Sequence, residues 1–343
     1  MTSAQKGRVA DIARHRLTPA ARYTLGLAGT VVGLLAIMAA LYPPFADSAN
    51  VEVLAMNFIL EAFMALGMTA VIVSGGIDLS VSAVLPFAAI LTGLLLRAGA
   101  PVPFAIGIAL LASAGVGALN ATMRQVLRVH PFIVTLATML SLKGVNLVIT
   151  GGAPVAGFPE SFALLGRGRL LGLPFALVLF AALAVAIGWF LAHHRYGQQV
   201  YLIGGNVRAA RLAGVHVERV LLLVYMLCSS LAGLAGVVAA SQYVSASTGF
   251  GQNSELRVIT AVAIGGASLN GGTGSVGGSV LGVLFLAIVY NAFAMSGVST
   301  YWQDVVSGVM VLGAVLLAQA AAREGRTRRA AGPGERPAAA QVR

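Results

Sequence analysis

An all-α membrane protein is the fold class this sequence predicts, and three observations predict it. Of the 343 residues, 58% are hydrophobic and only 10% are charged, with a mean hydropathy of +0.89, which lies outside the make-up of a soluble domain. The apolar residues gather into runs close to the roughly 20 residues an α-helix needs to cross a hydrocarbon core about 30 Å thick. These runs are continuous rather than alternating, which separates them from the strands of a closed barrel, the other structure that satisfies every backbone group in lipid.

Taken in order, the runs cover 24–42, 53–73, 79–96, 103–123, 132–150, 173–192, 220–240, 256–269, 276–296 and 301–320, giving about ten crossings. The first follows a basic leader containing Lys6, Arg8, Arg14, Arg16 and Arg22. It outruns a signal-peptide core of about 7–15 residues and lacks a cleavage site, so it reads as an uncleaved helix. The eighth is short and flanked by glycine, the pattern of a half-helix or re-entrant piece. With a cytoplasmic amino terminus, the inner segments hold the leader, Arg124, Arg128, Arg195, Arg208, Arg211, Arg219 and the basic tail, while Arg97, Arg167 and Arg169 lie outside. Most of the Lys and Arg then obey the positive-inside rule, and both termini are expected in the cytoplasm. The net charge of +11 is read as loop placement, with no nucleic acid implied. The chain divides into a cytoplasmic leader over 1–22, a polytopic domain over 23–322, and a basic tail over 323–343 whose GPGERPAAAQVR composition predicts disorder.

Chemistry-bearing groups are sparse. Cys228 is the single cysteine, which excludes a disulfide framework or thiolate cluster. His15, His130, His193, His194 and His216 have no metal-ligand spacing, and no GxxxxGK[ST] phosphate loop is present. No catalytic site, metal or cofactor is expected, and any ATP is hydrolysed on another chain. An intramembrane enzyme would need a nucleophile and base at shared depth, which the sequence does not offer.

Three stretches carry information instead. In SGGIDLSVSAV, Gly75 and Gly76 weaken the second helix, and Asp78 or Ser80 can cap the third. An acid at membrane depth costs roughly 2.5–3.5 kcal/mol on insertion scales, so Asp78 is either a structural cap or a solute contact. In the longest internal basic loop, Asn206 suits an N-cap, Val207 to Ala213 a short helix, and Gly214 the left-handed position that ends it. Arg208 and Arg211 are then exposed, fitting either a solvated loop helix or a docking knob. In ELRVITAVAIGGASLNGGTGSVGGSVLG the glycines, Gly265 and Gly266 among them, are too dense for an ordinary helix. A broken or tightly packed element is expected.

Glu61, Asn120, Lys143, Asn146, Asn291 and Asp304 are intramembrane polar residues that need partners or water. Glu61 is expected to pair with Lys143 or with carbonyls at a helix break, or to line a polar path. Small residues at Gly29 and Gly33, at Ser229, Gly233, Gly236 and Ala240, and at Gly274, Gly278 and Gly282 suit close helix packing in lipid. The segment Thr69 to Ser80 also echoes Thr260 to Asn270, as internal repeats of transporters do.

SGGIDLSVSAV, HPFIVTLATMLSLKGVNLVITGGAPV, YLIGGNVRAARLAGVHVERV, AVAIGGASLNGGTGSVGGSVLG and GVSTYWQDVVSGVMVL together resemble the permease subunits of ribose, xylose, arabinose and galactose type ABC importers. The resemblance spans about residues 25 to 320 and keeps motif order and spacing. It implies a multi-pass inner-membrane permease that moves a monosaccharide by alternating access. Its implied partners are a second permease chain, a cytoplasmic ABC ATPase and an extracytoplasmic sugar-binding protein. The family's ATPase-coupling loop falls on Gly204, Gly205, Asn206, Arg208, Ala210, Arg211 and Gly214, and the loop Gly151 to Gly172 would face the binding protein. The helix-break or path candidates are Glu61, Gly75, Gly76, Asp78, Ser80, Asn146, Gly265, Gly266 and Asn291. Two positions depart from the pattern: Ser82 stands where glycine is common, and Asp304 follows Trp302-Gln303 where an uncharged residue is usual. A branched-chain amino-acid ABC permease and an ion-coupled carrier using Glu61, Asp78 and Asp304 remain as alternatives.

Overall fold

The computed structural model describes residues 19–297 together with 299, 302, 305, 306, 308, 309, 312 and 313. Leader residues 1–18, Asp304 and the tail lie outside the described residues, as does most of the tenth apolar run.

The described chain is helical. Its helices are α1 (Pro19–Leu41), α2 (Ser48–Val73), α3 (Val81–Arg97), α4 (Val102–Leu127), α5 (Pro131–Thr150), α6 (Glu160–Arg167), α7 (Phe175–His193), α8 (Arg195–Gly205), α9 (Val207–Leu212), α10 (Val217–Tyr243), α11 (Ser254–Ile264) and α12 (Val276–Met295). Seven of them, α1, α2, α4, α5, α7, α10 and α12, are long and apolar enough to cross a bilayer. The third expected crossing is α3, which has 17 residues. The eighth is only 11 residues long, the half-helix its flanking glycines predict.

Sorting these helices takes more than hydropathy, because lipid and protein interior are equally apolar. The hydrophobic window of α2 is 83% buried, whereas that of the more apolar α7 is only 22% buried and faces outward. The helix α10 packs along α2, α3 and α4, and glycines let the backbones meet. A Cβ at Gly67 of α2 would lie 2.5 Å from Cys228 Cα, while Gly117 of α4 abuts the Tyr225 backbone and Gly236 of α10 abuts Leu85. Close approach of this kind replaces the hydrophobic drive that is missing between helices in lipid. Gly278 and Gly282 of α12 likewise lie against the backbone of α11 at Gly265 and Ala261. Gly29 and Gly33 behave differently: a Cβ at either meets no described atom within 4 Å. They sit on a face of α1 turned away from the bundle, so the expected packing role is corrected for the described residues.

One end of the bundle carries a small outer structure. There β1 (Val155–Ala156) pairs antiparallel with β4 (Ser245–Ala246), and β2 (Arg169–Leu170) pairs with β3 (Leu173–Pro174). The helix α6 is tied to the end of α10: Gly166 N–H donates to Ser241 Oγ at 2.7 Å and Arg167 Nε donates to the Gln242 carbonyl at 2.7 Å. The opposite end carries α8 and α9.

Candidate functional site

At the α8–α9 end, three separate chain segments meet through glycine. The first is the end of α2, where Gly75 adopts φ +77° and the amides of Gly75 and Gly76 donate back to the carbonyls of Ile72 and Val71, each at 2.9 Å. That is the left-handed helix stop that glycine enters without Cβ strain. The second is the end of α11, where Gly266 and Ala267 repeat the pattern by donating to Ala263 and Val262. The echo between Thr69–Ser80 and Thr260–Asn270 is thus a shared stop geometry. The two stops touch: Gly272 N–H donates to the Val73 carbonyl at 2.8 Å. The third segment is α8. Gly204 lies so close to Val73 O and Gly272 N that a Cβ there would overlap both, and Tyr201 Oη donates to the Gly274 carbonyl at 3.1 Å.

From this junction the chain runs directly into the basic knob. Asn206 Oδ1 accepts from Ala209 N at 3.0 Å, capping α9, and Gly214 ends the turn with φ +79°. Arg208 is exposed and Ala210 is buried. Arg211 makes an exposed ion pair with Glu218 at 2.6 Å, worth little to stability because both groups are hydrated. Gly205 faces open space.

Beyond the α2 stop lies a buried polar chain. Asp78 is fully buried, and its Oδ1 accepts from Ser80 N at 2.9 Å and Ser80 Oγ at 2.5 Å. Asn120 of α4 donates to Ser80 Oγ at 2.9 Å and accepts from Thr138 of α5 at 2.7 Å. Asp78 Oδ2 has no partner among the described residues. Three chain segments, the α2–α3 link, α4 and α5, are thereby stitched by one relay. Asp78 takes the N–H of Ser80, the residue before α3, and neither side chain bonds an N–H of α3 itself, so the expected cap is corrected. Gly76 lies under the Tyr225 hydroxyl, which a Cβ would meet at 2.5 Å. Asn146 of α5 donates to the Ala83 carbonyl at 3.1 Å, tying α5 to α3, while its Oδ1 has no partner among the described residues.

At mid-bundle Glu61 of α2 meets Arg257 of α11, with Arg257 Nε donating to Glu61 Oε1 at 2.6 Å. The expected pairing with Lys143 is corrected: Lys143 sits on α5, which packs on α3 and α4, whereas Glu61 faces α11. Asn291 exchanges reciprocal amide hydrogen bonds with Asn50 at 3.0 and 2.8 Å. Glu61, Arg257 and Asn291 share a cavity of about 390 Å³ between α2, α10, α11 and α12.

The family described as "Branched-chain amino acid transport system / permease component" matches residues 50–315. The chain belongs to this permease family. It is also similar to the ribose import permease protein RbsC of Escherichia coli (strain K12), at 38% identity over 289 residues covering 83% of this chain and 90% of that protein. RbsC of Bacillus subtilis (strain 168) is 38% identical over 83% of this chain and 89% of its own length. The autoinducer 2 import system permease protein LsrD of Yersinia enterocolitica is 36% identical over 75% of this chain and 79% of its own. No solved structure matches the chain.

In this permease, then, the structure brings Gly75, Gly204 and Gly271 together, leaves Arg208 exposed on the knob, and separates Asn146 from Asn291. Sequence reasoning flagged Asn120 without its partners and missed Tyr201, Thr138 and Arg257 as parts of these clusters. The amide of Asn120 and the charge of Arg257 were available signals, but they mark cost rather than partner.

Proposed function

We propose that the chain is the membrane-spanning subunit of an ATP-driven importer that moves a monosaccharide by alternating access. The observation that carries this reading is the co-linear similarity to ribose import permeases across 289 residues. The family description names branched-chain amino acids, but relatives that cover three quarters or more of the chain include permeases named for ribose and autoinducer 2. In this reading the assembly holds a second permease chain, a cytoplasmic ABC ATPase and an extracytoplasmic sugar-binding protein. The chain crosses the inner membrane about ten times, with α11 and the irregular segment before it sharing one crossing and the run 301–320 completing the last. Both termini and α8–α9 then face the cytoplasm.

Knob and junction supply the mechanical link. The ATPase seats α9, with Arg208 and Arg211 offered to its surface. Closure of the nucleotide-bound ATPase moves α8, and the contact at Gly204 passes that movement to both helix stops at once. ATP shifts the bundle only by as much as it favours one state over the other.

The test is a purified complex of permease, partner ATPase and binding protein in proteoliposomes. ATP-dependent uptake of a labelled pentose or hexose, competed by unlabelled pentose and not by leucine, is the expected outcome. Arg208→Glu with Arg211→Glu should abolish uptake with the protein still inserted; normal uptake and normal ATPase stimulation would reject the docking role. Uptake that ignores ATP depletion and collapses with an ion gradient would reject the importer altogether.

A further inference from the structure

We propose that the mid-bundle cavity walled by Glu61 and Arg257 is where the permease holds an uncharged polyhydroxylated solute of monosaccharide size during passage. This rests on the solute-permease reading above and adds a site to it.

Position comes first. Glu61 lies 13 residues along α2 from Ser48, about 20 Å at 1.5 Å per residue, which is near the middle of a bilayer crossing. At the same depth α11 begins, with Ser254 Oγ 3.8 Å from Met64 Sδ of α2. A half-helix starting at mid-depth beside a cavity is the arrangement in which transporters hold solutes, because irregular backbone at that depth is tolerated where it lines a cavity. Here the irregular segment contributes Gly249, Phe250 and Gly251 to the wall.

Size and chemistry follow. A volume of about 390 Å³ lies at the small end of small-molecule sites, which run to roughly 1,000 Å³, and is too large to be a packing defect. The wall holds one acid and one base, ion-paired at 2.6 Å with side chains 14% and 20% exposed, so its formal charge is zero. An ion pair at this depth contributes no more than well-packed apolar side chains of the same volume, so stability does not explain it. What the pair does supply is hydrogen bonding of both senses. A carboxylate has about four acceptor sites and a guanidinium five donors in a fixed fork. Asn57, Tyr290 and Asn291 add polar groups, and Phe250 adds an aromatic face. Alternating donors and acceptors beside an aromatic face suit vicinal hydroxyls on a C–H ring.

The experiment uses the reconstituted three-component complex and labelled ribose within a panel of pentoses and hexoses. Glu61→Gln and Arg257→Gln should each lower uptake roughly tenfold or more, because each removes charged hydrogen bonds to the solute, while ATPase stimulation by loaded binding protein stays within about twofold of wild type. The exchanged pair, Glu61→Arg with Arg257→Glu, should remain low, since the ion pair is restored but the donors and acceptors are transposed. Uptake recovered by the exchange shows that only the ion pair matters and overturns the proposal, as does a fall in ATPase stimulation parallel to the fall in uptake.

A second arm keeps the proposal testable where a charge variant fails to assemble. Val53 lines the rim of the cavity and is 54% exposed, and Cys228 is fully buried, so Val53→Cys offers a single reactive thiol. Complete labelling with a bulky maleimide should lower uptake at least severalfold relative to the same unlabelled protein, and unchanged uptake overturns the cavity. A wild-type complex that moves none of the panel overturns the sugar reading instead, which separates the two failures.

Discussion

Asp78 shows how one buried carboxylate serves a structural end. Its Oδ1 accepts two bonds from Ser80, and its Oδ2 is left without a described partner, so the bonded oxygen and the costly oxygen are different atoms. Asn reproduces the first and replaces the second with a neutral group. Asp78→Asn is therefore expected to change stability by no more than about 1 kcal/mol and to retain most uptake. Asp78→Ala strands the Ser80 donors and is expected to cost about 1–3 kcal/mol. Thermal unfolding in detergent beside uptake by the complex checks both; loss of uptake in a stable Asp78→Asn protein would place the carboxylate in contact with solute. Asn120 makes the matching case from α4: Asn120→Leu breaks two bonds of the relay, each worth about 0.6 kcal/mol in a membrane bundle, and a lowered unfolding midpoint measures it.

Among elements, α8 bears the most consequence for its length. It ends in two adjacent glycines in opposite surroundings: a Cβ at Gly204 overlaps Val73 and Gly272, and one at Gly205 meets nothing within 4 Å. Overpacking costs about 1–3 kcal/mol, whereas an unopposed surface change stays within about 0.5 kcal/mol. Gly204→Ala is expected to prise α8 from both helix stops and lower uptake per ATP hydrolysed, with Gly205→Ala matching wild type. Equal ratios of uptake to hydrolysis in the two variants would remove the junction from the coupling route. The caps of α9 were legible in the sequence because Asn206 and Gly214 act on backbone groups within three to five residues of themselves. The contact of Gly204 with Gly272 was not legible, because nothing in either local pattern names the other.

At the scale of the whole molecule, topology is the quantity to measure. Leu171, in the turn between β2 and β3, is 97% exposed, and Leu212, at the end of α9, is 91% exposed. The proposed topology, argued from the positive-inside rule, predicts these residues on opposite sides of the membrane. With Cys228 buried, a membrane-impermeant maleimide applied to intact cells should label Leu171→Cys and spare Leu212→Cys until the membrane is opened. The reverse pattern would invert the bundle and remove the ATPase from the reach of α9.

What the sequence determined alone was whatever lipid and a few neighbouring residues decide: that the chain is helical, roughly where the first nine runs lie, that α11 is short, and that the chain breaks at Gly75. Each follows from backbone groups that must be satisfied within the same segment, since no water is present to satisfy them. Only the tertiary structure decided that α2 is wrapped while α7 faces outward, and that Glu61 takes Arg257 from 196 residues away rather than Lys143. It alone decided that two helix stops and α8 share one point. A side chain facing lipid and one facing protein have the same hydropathy, and a buried charge takes the partner that packing brings within reach.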